Sequence, residues 1–288
     1  MATDNNIIYP TLVSMTSALE NNNKSKNILV YHLLLSNNFN LQNIDIFESL
    51  KTSYEVLIYY YIIPPIFNNL KRWNSDTDCI YYKLVIPLLF QNLKKIIFLD
   101  ADTLIYKDLY EMYNTNLNNN YILGFPTWSP YILKQRIRIV NYINVGTIII
   151  NIDKIRKDKK DIELLMYTFE NNHKFFFPEQ DAMNLIFNPS VGILPLKYGV
   201  FLIVNIFCFE KFIKNNLLCK INETELIEAI RNPFILHLSG CHPKVWNKKS
   251  LNGCGVHSVC KKYQKDFYFY ASKTNYYSHI INLYLKKT

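Results

Sequence analysis

Several features that mark other protein classes are absent from this sequence. The apolar stretch nearest to membrane-spanning length, residues 191–212, is interrupted by Pro195, Lys197, Asn205 and Glu210. The six cysteines are scattered, with no CxxC pair and no signal peptide before them, which favours reduced thiols in a cytosol-like compartment over a disulfide framework. Glycine is scarce, at 7 residues, and no Pro/Gly-rich linker or internal repeat divides the chain. We therefore expect a cytoplasmic protein, either soluble or peripheral at a membrane.

Net positive charge is small everywhere except near the C-terminus. The net charge is +9, and residues 242–288 carry nine lysines against one aspartate, which is +8 of that total. The rest of the chain is close to neutral, so its main body is not expected to bind nucleic acid.

Hydrophobic residues make up 49% of the sequence, which is ample for a sizeable core.

Apolar segments of strand and helix length alternate along the chain. Pro10 begins a predicted helix that ends at Glu20, because proline suits the first turn of a helix. Residues 78–93 are amphipathic and lead directly into the apolar run at 96–99. Further strands are predicted at 27–34, 55–61, 121–125, 146–152 and 234–240. This alternation predicts an α/β fold with a central, mostly parallel sheet flanked by helices.

Two aspartates follow the apolar run at 96–99, which has the character of a strand buried on both faces in a parallel sheet. Side chains of a strand alternate between its faces, so Asp100 and Asp102 are expected to point the same way. Carboxylates that close repel one another unless a cation lies between them. Ligands bind at the carboxyl ends of strands in such sheets, so the pair indicates a metal site. The alternative is a solvated turn or a helix cap.

Three further motifs follow the aspartates in order. They are INVGTIIIN at 143–151, FFFPEQDAMN at 175–184 and ILHLSGCHPKVWN at 235–247, and the segment ATDNNIIYP at 2–10 precedes them all. Together they resemble the ordered signature of glycosyltransferase family 8, which includes bacterial galactosyl- and glucosyltransferases of surface glycans and glycogenin. The resemblance runs from about residue 2 to residue 247, and several motifs in one order are much more specific than any one alone.

The resemblance implies a GT-A fold, in which a Rossmann-like sheet binds a nucleotide sugar, usually UDP-glucose or UDP-galactose. It also implies that Asp100, Asp102 and His237 are the ligands of Mn²⁺, with Mg²⁺ as the alternative. A ligand set of carboxylates and one imidazole suits Mn²⁺, whereas Mg²⁺ sites are usually made of oxygen ligands alone. A divalent ion would neutralise the charge that develops on a sugar diphosphate leaving group. For His237 alone, a core histidine on a strand is the alternative.

The other site residues carry over from the same motifs. The resemblance assigns catalysis to Asn144, Gln180 and Asp181. It assigns UDP-sugar binding to Ala2, Thr3, Asp4, Asn6, Lys83, Asp100, Ala101, Asn144, Gly146, Gln180, Gly240 and Lys244. Transfer in this family retains the anomeric configuration, and because Gln180 is an amide and a poor nucleophile, internal return stands beside double displacement. A helix N-terminus enriched in acids is the alternative for the Glu-Gln-Asp stretch.

The sequence departs from the family pattern at four points. The chain starts at the motif's Ala2, so most of the first strand is expected to be missing or to belong to a longer native protein. Ile7 stands where the family often stacks a tyrosine on uracil, and Lys83 stands where it often has an arginine, which can form a bidentate fork. The last motif, from Gly240 to Trp246, has one extra residue and a displaced proline. These departures keep open a catalytically inactive nucleotide-sugar-binding or scaffold protein of the same fold.

The C-terminal segment is expected to differ from the main body. We predict a catalytic domain over residues 1–245 and a basic, aromatic, helical extension over 246–288. Lysines interleaved with aromatic residues at 261–288 predict peripheral contact with an anionic membrane, where an acceptor glycan, glycolipid or glycoprotein would be found. The alternative is a helix that packs its aromatic residues on the main domain. A zinc site built from the cysteines and histidines of residues 241–260 is a further alternative.

Overall fold

A computed structural model describes residues 1–23, 27–72, 77–201, 222–239, 244–247 and 257–286. Strands and helices alternate along most of this length, as the sequence predicts. In chain order the strands are β1 (Ala2–Thr3), β2 (Leu29–Leu35), β3 (Val56–Ile62), β4 (Ile96–Leu99), β5 (Thr103–Ile105), β6 (Ile122–Pro126), β7 (Ile143–Ile150), β8 (Val191–Ile193), β9 (Tyr198–Phe201) and β10 (Ile235–His237).

The helices lie between these strands and after the last one. They are α1 (Ile8–Glu20), α2 (Ile44–Glu48), α3 (Ile86–Leu89), α4 (Tyr110–Tyr113), α5 (Pro130–Lys134), α6 (Ile152–Lys157), α7 (Lys160–Asn171), α8 (Pro178–Phe187), α9 (Glu223–Arg231), α10 (His257–Ala271) and α11 (Tyr277–Ile281). Residues 78–93, predicted to be amphipathic, form a 3-10 helix over Asp78–Val85 that continues into α3. Pro87 lies in the first turn of α3, where its missing N–H costs nothing.

The first sheet is parallel and carries the N-terminal motif. Its strand order is β1-β2-β3, with Ala2 opposite Leu34 and Leu29 opposite Val56. Helix α1 buries one apolar face against these strands, because Leu12 and other α1 residues share a core cluster with residues of β2 and β3. The strands predicted at 27–34 and 55–61 are therefore confirmed, within one or two residues at their ends.

The other two sheets mix parallel and antiparallel pairs. One has the order β4-β7-β6-β8, with β6 and β8 parallel; the other has the order β5-β10-β9, with β9 and β10 parallel. The structure confirms the α/β class, with one difference at β4, which pairs antiparallel with β7. Ile96 and Ile97 are only partly buried. A short apolar run does not encode the direction of its strand relative to the neighbouring strand. The partner of β4 is the long, mostly buried strand β7.

Helix α10 packs its aromatic residues against the main domain. Tyr263, Phe267 and Tyr270 are buried in a cluster that also holds Val13 of α1 and Leu104 of β5. The lysines of this helix, by contrast, lie in solvent. This is the packed helix that was the alternative to membrane contact for residues 261–288. In the part of the chain that the structure describes, no helix combines the length and the apolar character needed to cross a bilayer.

Candidate functional site

Ends of several strands meet at the two aspartates. The turn from β4 to β5 contains both Asp100 and Asp102. The N–H of Asp100 donates to the carbonyl of Gly146 in β7 at 2.7 Å, and the carbonyl of Asp102 accepts from the N–H of Leu238, just after β10, at 2.8 Å. The turn is thereby fixed to two strands from distant parts of the chain. As a result, His237 at the end of β10 lies beside the carboxylates.

Asp100, Asp102 and His237 form a cluster whose metal-ligating atoms all lie within 4.8 Å of one another. Nε2 of His237 is 3.1 Å from Oδ1 of Asp102 and 3.6 Å from Oδ2 of Asp100. Two ammonium groups flank the cluster: Lys244 is 2.6 Å from Asp102, and Lys83 is 3.1 Å from Asp100. Burial would raise the pKa of Asp102, but Lys244 and His237 hold that pKa well below its usual range. Asp102 is therefore anionic at neutral pH.

Asn144 fixes the tautomer of His237. Its Oδ1 accepts from the N–H of Gly146 at 2.9 Å, and its Nδ2 donates to Oε1 of Gln180 at 2.9 Å. The oxygen of Asn144 therefore faces Nδ1 of His237, at 3.2 Å, and this network assigns a proton to Nδ1. In the neutral ring, the lone pair of Nε2 then points at two carboxylates. That is repulsive unless a proton or a metal ion lies at Nε2, so the donor set fits a divalent cation.

Gly146 lies directly behind the cluster. A Cβ atom added at this position would be 2.2 Å from Cε1 of His237 and 2.4 Å from Oδ2 of Asp100. Carbon atoms pack no closer than about 3.5 Å without strain. The close approach of β7 to both side chains therefore requires glycine here.

A buried chain of hydrogen bonds leads away from Gln180. Its Nε2 donates to the hydroxyl of Tyr142 at 3.0 Å, and that hydroxyl donates to Oδ1 of Asp181 at 2.6 Å. The other oxygen of Asp181 accepts from the N–H groups of Phe176 and Phe177 at 2.9 and 3.0 Å. Burial raises the pKa of Asp181, and hydrogen bonds from Tyr142 and the backbone oppose that rise. Asp181 thus anchors the segment that leads into α8.

A cavity of about 480 Å³ opens in front of the cluster. Polar and charged groups lie beside several aromatic rings in its wall. The lining residues are Ala2, Ile7, Pro10, Thr77, Cys79, Ile80, Asp100, Ala101, Asp102, Thr127, Trp128, Asn144, Phe177, Glu179, Gln180, Phe201, His237, Ser239, Lys244 and Trp246.

Comparison with known proteins identifies the family of this chain. The sequence pattern of the family described as Glycosyl transferase family 8 matches residues 1–250. The chain belongs to this family. A lipopolysaccharide 1,2-glucosyltransferase of Escherichia coli is 26% identical over 207 residues, which is 68% of this chain and 60% of that protein. This glycosyltransferase family 8 chain therefore spans less than two thirds of the length of that relative.

Solved structures show the same fold. The galactosyltransferase LgtC, in complex with donor and acceptor sugar analogs, superposes with a TM-score of 0.73 at 15% identity, covering 95% of each chain. The bifunctional glycosyltransferase WbbM superposes with a TM-score of 0.73 at 20% identity, covering 99% of this chain and 51% of that one. At these identities the likeness establishes the GT-A fold, and the predicted fold class is confirmed.

Most of the predicted site residues of this family 8 chain meet at the cavity. Those in its wall are Ala2, Asp100, Ala101, Asp102, Asn144, Gln180, His237 and Lys244. Gly146 lies behind the wall, against His237 and Asp100. Gly240 lies outside the described residues, as do the side chains of the proposed zinc ligands. The structure therefore brings together residues from the N-terminal segment and from all four later motifs.

Other predicted residues do not line the cavity; they are Thr3, Asp4, Asn6, Lys83 and Asp181. Oδ1 of Asp4 accepts from the N–H groups of Asn6 and Ile7 at 2.8 and 3.2 Å, which organises the entry into α1. Lys83 is 2% exposed and reaches Asp100 from the interior. Asp181 is fully buried. Their assignment to donor binding or catalysis stays a prediction.

Glu179 also lines the cavity, although its place in the sequence indicated no role for it. Burial raises the pKa of Glu179 to about 7, against the opposing effect of Lys83. Its position directly before Gln180, in the motif at 175–184, could have indicated a role in the site. An acid at the start of a helix has a common structural explanation, however, so this position alone did not indicate one. Trp128 and Trp246 in the wall were also not assigned, and only the rarity of tryptophan, 3 residues in the chain, could have pointed to them.

Proposed function

We propose that this chain is a retaining hexosyltransferase that moves glucose or galactose from a UDP-sugar to a glycan, glycolipid or glycoprotein acceptor, with Mn²⁺ or Mg²⁺. The observation that carries the proposal is the cluster of Asp100, Asp102 and His237, which opens onto a cavity of about 480 Å³. The name of the Escherichia coli relative and the sugar analogs bound to LgtC support a sugar donor and a carbohydrate acceptor.

The cluster supplies what departure of a diphosphate requires. A divalent ion held by Asp100, Asp102 and His237 would act as a Lewis acid on the diphosphate. Lys244 lies 2.6 Å from Asp102 and lines the same cavity, so its ammonium group can bind the leaving diphosphate as a point charge. Asn144 keeps Nε2 of His237 free for the ion, because its Oδ1 accepts the hydrogen bond that Nδ1–H donates.

The contacts of Gln180 bear on the route of transfer. Its Oε1 accepts from Nδ2 of Asn144 at 2.9 Å and from the N–H of Val145 at 3.4 Å, so both lone pairs are engaged. An attack by this oxygen on the anomeric carbon would require at least one of these hydrogen bonds to break. We infer internal return, in which the acceptor hydroxyl attacks from the face that the diphosphate leaves. Gln180 then orients Asn144 and can offer its remaining amide hydrogen to the sugar.

A screen of UDP-sugars tests this function directly. UDP release is measured with and without Mn²⁺ and with and without acceptor glycans, for the parent chain and for Asp102→Asn. We expect metal-dependent release with at least one UDP-hexose and loss of release in the variant, whose circular dichroism matches the parent's. Binding of UDP-sugars without any release would instead favour the inactive binding protein.

We also propose that the outward face of α10 contacts an anionic membrane, where a lipid-linked acceptor would lie. Lys261, Lys262 and Lys265 are exposed on this helix, Lys273 is exposed just after its end, and Phe269 is 53% exposed beside them. Each lysine near an anionic leaflet contributes about 1 kcal/mol at low salt. Because the other aromatic residues of α10 are mostly turned into the core, the lysines carry this proposal rather than an aromatic belt.

Co-sedimentation with vesicles tests the membrane contact. Removing α10 would uncover its core cluster, so the four lysines are changed to glutamine instead. We expect the parent chain to bind anionic vesicles at low salt and neutral vesicles poorly, and the variant to bind neither. Equal, salt-insensitive recovery of parent and variant contradicts the proposal.

A further inference from the structure

The two lysines beside the cluster differ in their freedom to move. Nζ of Lys83 is 3.1 Å from Oδ1 of Asp100, and Nζ of Lys244 is 2.6 Å from Oδ2 of Asp102. The side chain of Lys83 is only 2% exposed, and its ammonium group also lies 4.8 Å from the ring centroid of Phe98. The side chain of Lys244 is 26% exposed and lines the cavity. Lys83 is therefore fixed in the interior, whereas Lys244 can leave its aspartate for a ligand in the cavity.

Both carboxylate oxygens of Asp102 have a partner. Oδ1 faces Nε2 of His237 at 3.1 Å, and Oδ2 faces the ammonium group of Lys244. A divalent ion shared by Asp102 and His237 enters beside Oδ1, while Lys244 holds the other oxygen of the same carboxylate. Ion and ammonium group would then lie within about 4–6 Å, a distance at which two charges act strongly on one another. Lys244 in this position therefore opposes the binding of a metal ion.

The charges around the cluster already balance without a metal ion. The carboxylates of Asp100 and Asp102 are offset by the ammonium groups of Lys83 and Lys244. A divalent ion added by itself leaves a net positive charge in a site that is largely shielded from water, where salt screens charges poorly. A diphosphate that enters with the ion restores the balance and gives Lys244 a new anionic partner. The charge balance thus favours the two ligands together over the ion alone.

We propose that Lys244 is an internal counter-ion of the metal site, paired with Asp102 in the free chain and transferred to the diphosphate when the metal ion and UDP bind. This inference rests on the proposed function, which supplies the diphosphate. Lys244 competes with the ion for Asp102 until the diphosphate draws it away. The metal ion and UDP therefore each tighten the binding of the other, by the same factor in both directions.

Calorimetric titration of the full chain with Mn²⁺ alone tests the competition. Lys244→Met removes the ammonium group and keeps a flexible apolar side chain. We expect Mn²⁺ to bind this variant at least about 10-fold more tightly than the parent. A role of Lys244 in the fold alone predicts the opposite, because loss of a stabilising contact would leave Mn²⁺ binding unchanged or weaker.

Lys154→Met is the matched control. Lys154 also forms an ion pair with an aspartate, Asp158, at 2.8 Å, and its side chain is 18% exposed, but neither residue lines the cavity. This variant should bind Mn²⁺ as the parent does.

Repeating the titration at saturating UDP measures the coupling. In the parent we expect UDP to tighten Mn²⁺ binding by about 100-fold, and in Lys244→Met by only about 10-fold, the part that remains being direct ligation of the ion by the diphosphate. The proposal is overturned if Lys244→Met binds Mn²⁺ alone no more tightly than the parent, if neither binds it up to about 10 mM, or if the coupling factor is unchanged. A parent chain that does not bind UDP contradicts the proposed function instead, since the titration with Mn²⁺ alone still reports on Lys244.

Discussion

The substitution Gly146→Ala tests whether the close packing behind the cluster sets the position of its ligands. The new methyl group would lie 2.2 Å from Cε1 of His237 and 2.4 Å from Oδ2 of Asp100. Ordinary carbon contacts begin near 3.5 Å, so the two side chains, or β7 itself, must move by about 1 Å. Both proposed metal ligands are pushed by the same atom, and neither can move without breaking contacts to Asp102 or Lys83.

The size of the effect follows from that displacement. A shift of about 1 Å at a reacting centre costs about 100-fold in rate, and disturbed ligand orientation costs roughly 10- to 100-fold in metal affinity. We therefore expect kcat/KM to fall about 100-fold, which corresponds to about 2.7 kcal/mol of transition-state stabilisation. Overpacking of a buried site should also lower the free energy of unfolding by about 1–3 kcal/mol.

Gly192→Ala separates loss of stability from loss of ligand geometry. In β8, a Cβ at Gly192 would lie 2.3 Å from Cδ2 of Leu123 and 2.7 Å from Nδ2 of Asn120, so it is equally crowded but is not in the wall of the cavity. The assay is UDP release at increasing Mn²⁺, with urea unfolding in parallel. Gly146→Ala should need more Mn²⁺ for half-maximal release, whereas Gly192→Ala should lose only stability. Unchanged Mn²⁺ affinity and turnover in Gly146→Ala would refute the reasoning.

Three further predictions concern single side chains of the site. Asp102→Asn removes an anionic ligand and should lower turnover by about three orders of magnitude or more at saturating Mn²⁺ while the fold is kept; full activity in this variant, or of the parent chain in EDTA, contradicts the metal site. Tyr142→Phe removes the hydroxyl that joins Gln180 to Asp181 and should lower kcat by about 10-fold with the KM for the donor within a few-fold; an equal rise in KM would mean that the residue serves binding instead. Glu179 has a pKa raised to about 7, so the folded state holds its proton more tightly than the unfolded state, and stability should fall by about 1–3 kcal/mol as pH rises from 5 to 8. In urea unfolding Glu179→Gln should remove this pH-dependent fall, and an unchanged pH profile would show that Glu179 does not cause it.

Much of the cluster could be predicted from local sequence. The alternation of side chains along a strand predicted Asp100 and Asp102 on one side; both lie in the turn after β4 instead of in the strand, and both face the cavity. The mutual repulsion of two close carboxylates calls for a cation whatever the rest of the fold. The end of an apolar strand is also where α/β sheets place their ligands. His237 could not be predicted in this way, because it lies 135 positions from Asp102 and only the pairing of β10 with β5 brings the two together. Its assignment came from the resemblance of the later motif.

The tertiary structure decided which predicted residues face the cavity. Gln180 and Asp181 are neighbours in sequence, yet Gln180 lines the cavity and Asp181 is buried against Tyr142. Helical geometry turns successive side chains by roughly 100°, and only the packing of α8 against β7 determines which direction is inward. The same packing brings Glu179 to the cavity, and its burial there raises its pKa to about 7.

The sequence by itself determined the elements of this protein and the chemistry it can hold. Local propensity, apolar periodicity and the types of residue in each motif are properties of short segments, and they were sufficient for β2, β3, β4, β6, β7 and β10, for the acidic pair and for the basic C-terminal segment. Only the tertiary structure decided that β4 pairs antiparallel with β7, that Gly146 must be glycine, and that Tyr263 and Phe267 of α10 pack inward. Each of these outcomes depends on a contact between segments far apart in the chain, and the free energy of such a contact is not a property of either segment alone.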